Sequence, residues 1–84
     1  MNTIWVVVAL LFNPNTDTTE GLQVFDTEFK TETACEAKRP QAAENWYLAF
    51  GGYAYTPKFK CMTKEDYLEL RKEYFPVTVT VPTV

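Results

Sequence analysis

The sequence predicts an α+β domain in which one kinked helix packs on a three-stranded antiparallel sheet. Three observations lead to this class. An apolar run at residues 4–12 is rich in β-branched residues, as pleated strands are. A helical segment lies between two further strand-like segments. Two cysteines, Cys35 and Cys61, stand at places that such a fold would bring together.

Size and composition define the broad class. The chain has 84 residues, of which 46% are apolar and 15% aromatic, which is ample for one small globular domain. We expect that domain to span residues 1–76 and an extended tail to span residues 77–84. The net charge of −3, with 11 acidic and 8 basic residues, argues against nucleic acid as a partner.

The first predicted strand is the run from Ile4 to Phe12. Nine residues are too few to span a bilayer as a helix, so no membrane anchor is expected. The alternative is the apolar part of a signal peptide. No Lys or Arg precedes the run, however, and the residues that follow it, Asn13 and Pro14, make a poor cleavage site. We therefore predict a buried central strand and no secretion.

The polar, turn-forming residues 13–21 predict a long hairpin loop, and residues 22–30 a second strand. A helix should follow. Thr33 and Glu36 have the spacing of a capping box, with Thr31 as the competing cap. Pro40 predicts either a kink near residues 38–39 or two short helices that meet there. The pair Gly51–Gly52 should end the helix.

Residues 53–62 predict the third strand, at an edge of the sheet because Pro57 cannot donate a ladder hydrogen bond. Thr63 should then cap a second helix, residues 64–75, which Pro76 ends. The tail alternates valine and threonine, a strand pattern.

Connection lengths give the topology. Strands one and two form a hairpin, and the helix returns the chain so that strand three runs parallel to strand two. The most apolar strand belongs in the centre, which gives the order 2-1-3 in a ββαβ arrangement. Cys35 and Cys61 then lie at the same end of the sheet and predict a disulfide worth about 3.5 kcal/mol on the chain-entropy model. Two buried reduced thiols are the alternative, because the chain shows no export signal.

Chemistry-bearing motifs are missing from the sequence. It has no histidine, the usual general base and the commonest metal ligand, and two cysteines alone fall short of a zinc site. It has no Gly-rich phosphate loop. We therefore expect no enzyme activity, no catalytic residue, no metal and no cofactor.

The chain has more aromatic residues than a small core needs: two Trp, five Tyr and six Phe. Either the second helix covers the other face of the sheet, or some rings form an exposed protein-binding surface. The Val/Thr tail adds a further possibility, because it could pair with an edge strand of its own domain, of a second copy or of a partner. A disordered tail is the simpler alternative. The candidate protein-binding residues are Trp46, Tyr47, Tyr53, Tyr55, Val77, Val79 and Val81.

The opening Ile4–Val8 run, the hairpin, the segment Phe29–Glu36 and a returning strand that ends in a cysteine resemble a recurrent type of small protein encoded by tailed bacteriophages, marine phages among them. The resemblance spans roughly residues 4–62 and leaves out the second helix and the tail. It implies a small accessory protein that binds something in the infected host or on the particle, and so a location in the host cytoplasm or the virion. Such proteins have no agreed activity, so no functional residues carry over.

The leading hypothesis is an accessory protein that docks on a host or phage protein and alters its activity. The second is a minor virion protein, or a self-assembling one, that donates its tail as a strand. The third, a cofactor-free enzyme or small-ligand binder, would need a pocket of some hundreds of Å³.

Overall fold

The computed structural model describes residues 3–50, 55–74 and 76–79. Its elements, in chain order, are β1 (Trp5–Asn13), β2 (Thr18–Phe29), α1 (Glu32–Phe50), β3 (Thr56–Thr63), α2 (Lys64–Leu70) and β4 (Pro76–Val79). The strands form one sheet in the order β3-β1-β2-β4. Strand β1 is antiparallel to both β2 and β3, which confirms the predicted α+β class and the order 2-1-3.

Strand β1 is the centre of the molecule. It has a strand on each side, and Val7, Val8 and Ala9 have no exposed surface. Successive side chains of a strand point to opposite faces. Val7 and Ala9 therefore pack with residues of α1, whereas Val6 and Val8 pack with Tyr67 of α2. Each face of the sheet has its own helix, an arrangement that gives many of the aromatic rings a place against the core.

The β1–β2 hairpin has a shorter tip than the sequence predicted. Strand pairing continues to Asn13 and Thr18, so the connecting turn spans only residues 14–17. The N–H of Asp17 donates to the carbonyl of Asn13 at 2.9 Å, and Asp17 has a φ of 58°. Aspartate tolerates this left-handed conformation better than most residues. The predicted loop was too long because the strand-favouring threonines at its end join β2.

Pairing between β1 and β2 is irregular at two places. Three residues of β2, Phe25 to Thr27, lie opposite the single residue Val7. This irregularity explains why the sequence of β2 shows imperfect apolar alternation. The second irregularity lies beside Gly21, whose partner is Leu11. A Cβ at Gly21 would lie 3.0 Å from Cδ1 of Leu11, so glycine permits the close approach there.

Helix α1 begins at a different cap from the one we favoured. The Thr31 hydroxyl accepts a hydrogen bond from the N–H of Ala34 at 3.1 Å, while the Glu36 carboxylate pairs with Arg39 at 3.1 Å. The capping box at Thr33 is therefore wrong, and the competing cap, Thr31, is the one used. Thr31 is the cap because the helix starts two residues earlier than predicted, which places its third N–H, that of Ala34, next to the Thr31 hydroxyl.

Helix α1 runs without interruption through Pro40, so the prediction of two abutting helices is wrong. Proline removes one helical hydrogen bond, the one to the carbonyl of Glu36. Both Pro40 and Glu36 are exposed, so water can satisfy that carbonyl. The expected C-cap, Gly51–Gly52, lies outside the described residues.

Strand β3 lies at one edge of the sheet, as we predicted from Pro57. It leads directly into α2, where the Thr63 hydroxyl accepts a hydrogen bond from the N–H of Asp66 at 3.1 Å and confirms the predicted cap. Helix α2 ends at Leu70, short of the predicted residue 75. Tyr74, which follows the helix, nevertheless packs against the cluster of Val6, Val8 and Tyr67.

The first residues of the predicted tail belong to the sheet. Strand β4 runs parallel to β2, with Gln23 opposite Val77 and Phe25 opposite Val79. The sequence left open whether the tail pairs with its own domain, with a second copy or with a partner. These residues pair with their own domain. Residues 80–84, and with them Val81, lie outside the described residues.

Candidate protein-interaction surface

A disulfide joins Cys35 and Cys61, whose Cα atoms lie 6.1 Å apart. Cys35 is in the first turns of α1 and is fully buried, and Cys61 is half-buried on β3. The predicted bridge is confirmed, and the alternative of two reduced thiols does not describe this structure. The bond holds the start of α1 against β3, so the helix packs toward that edge of the sheet.

An aromatic cluster joins α1 to β3 further along the helix. The ring of Phe59 on β3 lies 6.0 Å from that of Trp46, 6.1 Å from that of Tyr47 and 6.4 Å from that of Phe25. Edge-to-face contacts at these separations are favourable. Trp46 is the buried centre of the cluster, with 1% of its surface exposed, whereas Tyr47 lies at the rim and is 53% exposed. The rim of this cluster is therefore accessible to another protein.

The second half of α1 presents an apolar surface to solvent. Residues 32–39 contain four charged residues, but residues 40–50 contain only Glu44. Leu48 is 79% exposed beside Tyr47. Residues three and four apart lie on the same side of a helix, so Glu44, Tyr47 and Leu48 share one face. We call these three residues the α1 ridge.

The structure separates the predicted binding residues. Trp46 was expected to contact a partner, and this is wrong: its ring fills the core and its indole N–H is directed to Gln23. Tyr47 is exposed on the α1 ridge, and Tyr55 is half-buried against the core. Two further candidates, Val77 and Val79, lie on β4, the strand at the opposite edge of the sheet from β3. Tyr53 and Val81 are outside the described residues.

Two exposed leucines were not among the binding residues predicted from the sequence. Leu48 is two positions from the buried Trp46, which turns it about 200° around the helix and away from the core. That spacing was a usable signal. Leu68 on α2 is 42% exposed, on the opposite side of the sheet from the α1 ridge. It follows directly after the buried Tyr67, and one residue turns it about 100° around the helix, which leaves it partly exposed.

Strand β3 contributes a second feature, its outer edge. Among the described residues it pairs with β1 alone, and its eight residues keep one register throughout. Thr56, Lys58 and Lys60 are exposed on one face, while Phe59 and Cys61 are half-buried under α1 on the other. We call the unpaired side of this strand the β3 edge. It lies beside the α1 ridge because Tyr47 rests against Phe59.

The tip of the hairpin contains a carboxylate with several donors. The amide of Asn13 and the hydroxyl of Thr16 donate to Glu20 at 3.0 and 2.9 Å, and the Thr18 hydroxyl lies at 3.3 Å. These hydrogen bonds, led by that from Asn13 and joined by one from Tyr55, lower the pKa of the Glu20 carboxyl below its usual value of 4.5. The group is fully exposed and holds the turn in shape.

Residues of α2 and its surroundings, within the described part of the chain, line two clefts. One, of about 220 Å³, is lined by apolar residues of β1 and β2 and by four charged residues, Asp26, Glu28, Lys64 and Arg71. The other, of about 190 Å³, lies between Ile4 and Leu68. Both are smaller than the roughly 300–1,000 Å³ typical of small-molecule sites, so neither favours the small-ligand hypothesis.

Within the described parts of the chain, no group of three or more His, Cys, Asp or Glu residues is placed to hold a metal ion. No helix among the described residues is long and apolar enough to cross a bilayer.

Comparison of the chain with family models, with curated proteins and with solved structures gave no match in any of the three.

Proposed function

We propose that this chain is a small non-enzymatic accessory protein that acts by docking on another protein through the α1 ridge. The observation that carries the proposal is the exposure of Leu48, 79%, next to Tyr47, 53%, on a half-helix with a single charge. Large apolar side chains that lie together on a surface mark interaction sites. Tyrosine in particular contributes strongly to the affinity of protein interfaces.

The ridge stands on a rigid support, which favours tight docking. Tyr47 leans on Phe59 of β3 and on Trp46, and the disulfide fixes the other end of the same helix to the same strand. A preorganised surface loses little conformational entropy on binding. The apolar side chains of the ridge can therefore contribute most of their burial energy to the complex.

The proposed partner is a protein of the infected host or of the phage itself. This part of the proposal draws on the resemblance of residues 4–62 to small phage-encoded proteins. It implies action in the host cytoplasm or on the particle, with no nucleic acid, membrane or cofactor in the interaction. The net charge of −3 is consistent with a protein partner in preference to nucleic acid.

Self-assembly through the tail is the competing proposal. Residues 75–84 contain no charge, and β4 has a second edge with no partner among the described residues. An uncharged edge strand is open to pairing. Against it, β4 already pairs with β2 of its own chain and spans only four residues. We therefore rank it second.

The test is capture of partners from a bacterial lysate by the tagged full chain, with two variants. The variant Tyr47→Ser/Leu48→Ser removes the apolar surface of the ridge, and Leu68→Ser removes an exposed leucine on the opposite side. We expect the wild type and Leu68→Ser to retain the same discrete protein and the ridge variant to lose it.

All three proteins should first be shown to fold by thermal unfolding, because Tyr47 also contacts Phe59. Equal capture by the ridge variant and the wild type would show that docking uses another surface. Capture of nothing specific by any of the three would contradict the proposed function itself.

A further inference from the structure

We propose that the β3 edge accepts an extended, acidic segment of the partner protein as a fifth strand of the sheet. This inference rests on the proposed docking function and deepens it, since it names the chemistry of the partner. It follows from the pairing, the face alternation and the charges of β3.

The β3 edge offers the backbone template for strand addition. Its eight residues pair with β1 in an unbroken register, in contrast to the two irregularities between β1 and β2. In an edge strand, alternate N–H and C=O groups point away from the sheet. An added strand satisfies them and gains its affinity from main-chain hydrogen bonds. Pro57 contributes no donor, so pairing would be concentrated on residues 58–63.

The two faces of β3 specify the side chains of such a strand. On one face, Lys58 and Lys60 are exposed and lie two residues apart. On the other, Phe59 is half-buried and supports the exposed ring of Tyr47. Side chains of an added strand lie next to those of its neighbour on each face. One row would therefore face two ammonium groups, and the alternate row would face an aromatic surface continuous with the α1 ridge.

The charges of Lys58 and Lys60 are available for a partner. Within the described residues, neither lysine takes part in a salt bridge, and the pairs that do form involve Arg39, Lys64 and Lys72. The Lys58 ammonium lies 5.4 Å from the ring centroid of Phe12, which orients it without neutralising it. Carboxylates on the incoming strand would supply the missing counter-charges.

The same lysines exclude other occupants. Lysine on an edge strand discourages pairing with neutral or basic strands. Pairing of this strand with β3 of a second copy would bring lysines on both strands close together, which is unfavourable. The fitting partner is thus a segment that alternates apolar and acidic residues, and it is not a second copy of β3.

The probe for this proposal is a seven-residue peptide that alternates glutamate with valine, with the lysine-for-glutamate peptide as its counterpart. Each is added at millimolar concentration to the ¹⁵N-labelled full chain. We expect the acidic peptide to shift the amide resonances of Lys58–Thr63 and the basic one to leave them unchanged. No shift in β3 with the acidic peptide, or equal shifts with both, would overturn the proposal.

Charge-reversal variants provide the matched comparison. Lys60→Glu should weaken binding of the acidic peptide by about tenfold, because one attraction becomes a repulsion. Lys30→Glu changes the net charge by the same amount. Lys30 follows β2, which β1 separates from β3, so this variant should leave the affinity for the peptide unchanged. Equal weakening by both variants would show a response to net charge alone and would overturn the assignment to β3.

The two proposals fail separately. If the ridge variant loses its partner but Lys60→Glu captures it normally and the peptide does not bind β3, docking stands and strand addition is rejected. If the peptide binds β3 but the ridge variant still captures its partner, docking through the α1 ridge is rejected.

Discussion

The indole N–H of Trp46 donates a hydrogen bond of 2.6 Å to the side-chain oxygen of Gln23 in the core between α1 and the sheet. Both residues are buried, at 1% and 5% exposure. A buried polar group is tolerated when it is hydrogen-bonded, and its partner's position is then constrained. This contact sets the position of the second half of α1 over β2, and with it the exposed direction of Tyr47 and Leu48.

Replacement of Gln23 by leucine should therefore destabilise the fold. The change removes the acceptor of a buried donor, which costs about 1–3 kcal/mol. Urea unfolding monitored by tryptophan fluorescence measures the effect. Gln41→Leu, at an exposed position of α1, is the control and should change stability by no more than about 0.5 kcal/mol. A Gln23→Leu protein as stable as the wild type would show that the hydrogen bond does not stabilise this packing.

Loss of the disulfide should have a larger effect. The Cys35–Cys61 bridge closes a loop with a sequence separation of 26, which corresponds to about 3.5 kcal/mol on the chain-entropy model. In a domain of this size that is roughly 15–25 °C in Tm. Calorimetry of Cys35→Ala/Cys61→Ala tests it, and dithiothreitol should lower the Tm of the wild type but not that of the double variant. A wild-type Tm unchanged by confirmed reduction would contradict the prediction.

The hairpin tip should respond to acid. The pKa of the Glu20 carboxyl is lowered in the folded protein by donors that include Asn13 and Thr16. Its contribution to stability is therefore fully present above its unfolded-state pKa and is lost as the pH falls through the lower folded-state pKa. A carbon-detected NMR titration should place the Glu20 midpoint below 4.5, and Asn13→Ala should raise it. A midpoint at or above 4.5 would show that these hydrogen bonds do not persist in solution.

Removal of residues 77–84 separates the two proposed functions. Strand β4 pairs with β2 of the same chain, so the full protein should be monomeric. A chain that ends at Pro76 should be less stable and more prone to associate, because the edge of β2 becomes unpaired. Size-exclusion chromatography with light scattering measures both. A multimeric full chain that becomes monomeric on truncation would instead support self-assembly through the tail.

The order of the strands could be predicted because each feature that determines it is local in the sequence. A nine-residue apolar run needs a partner on both sides, and Pro57 restricts its strand to an edge. The cysteine pair then selected the end of the sheet at which helix and strand meet. The cap at Thr63 followed from a single side chain and its N–H donor.

The features that could not be predicted correctly from the sequence depend on contacts between elements. The register irregularity at Phe25–Thr27 could not be predicted, because a period-two pattern indicates which face a side chain takes and not which residue of the neighbouring strand it lies opposite. Trp46 was assigned to a binding surface because the chain has more aromatic rings than a small core needs, although its spacing from Cys35 and Ala42 places it on the buried face of α1. The exposure of Leu48 follows once Trp46 is placed in the core. Of the two exposed large side chains of the candidate site, Tyr47 was named from the sequence and its neighbour Leu48 was not.

The most direct test of docking through the α1 ridge is photocrosslinking from position 48. Benzoylphenylalanine replaces Leu48 in one protein and Leu68, on the opposite side of the sheet, in another. Both proteins are irradiated in the bacterial lysate. Docking through the α1 ridge should give an adduct of one discrete mass from position 48 and none from position 68. Adducts from position 68 alone, or the same adducts from both positions, would contradict it.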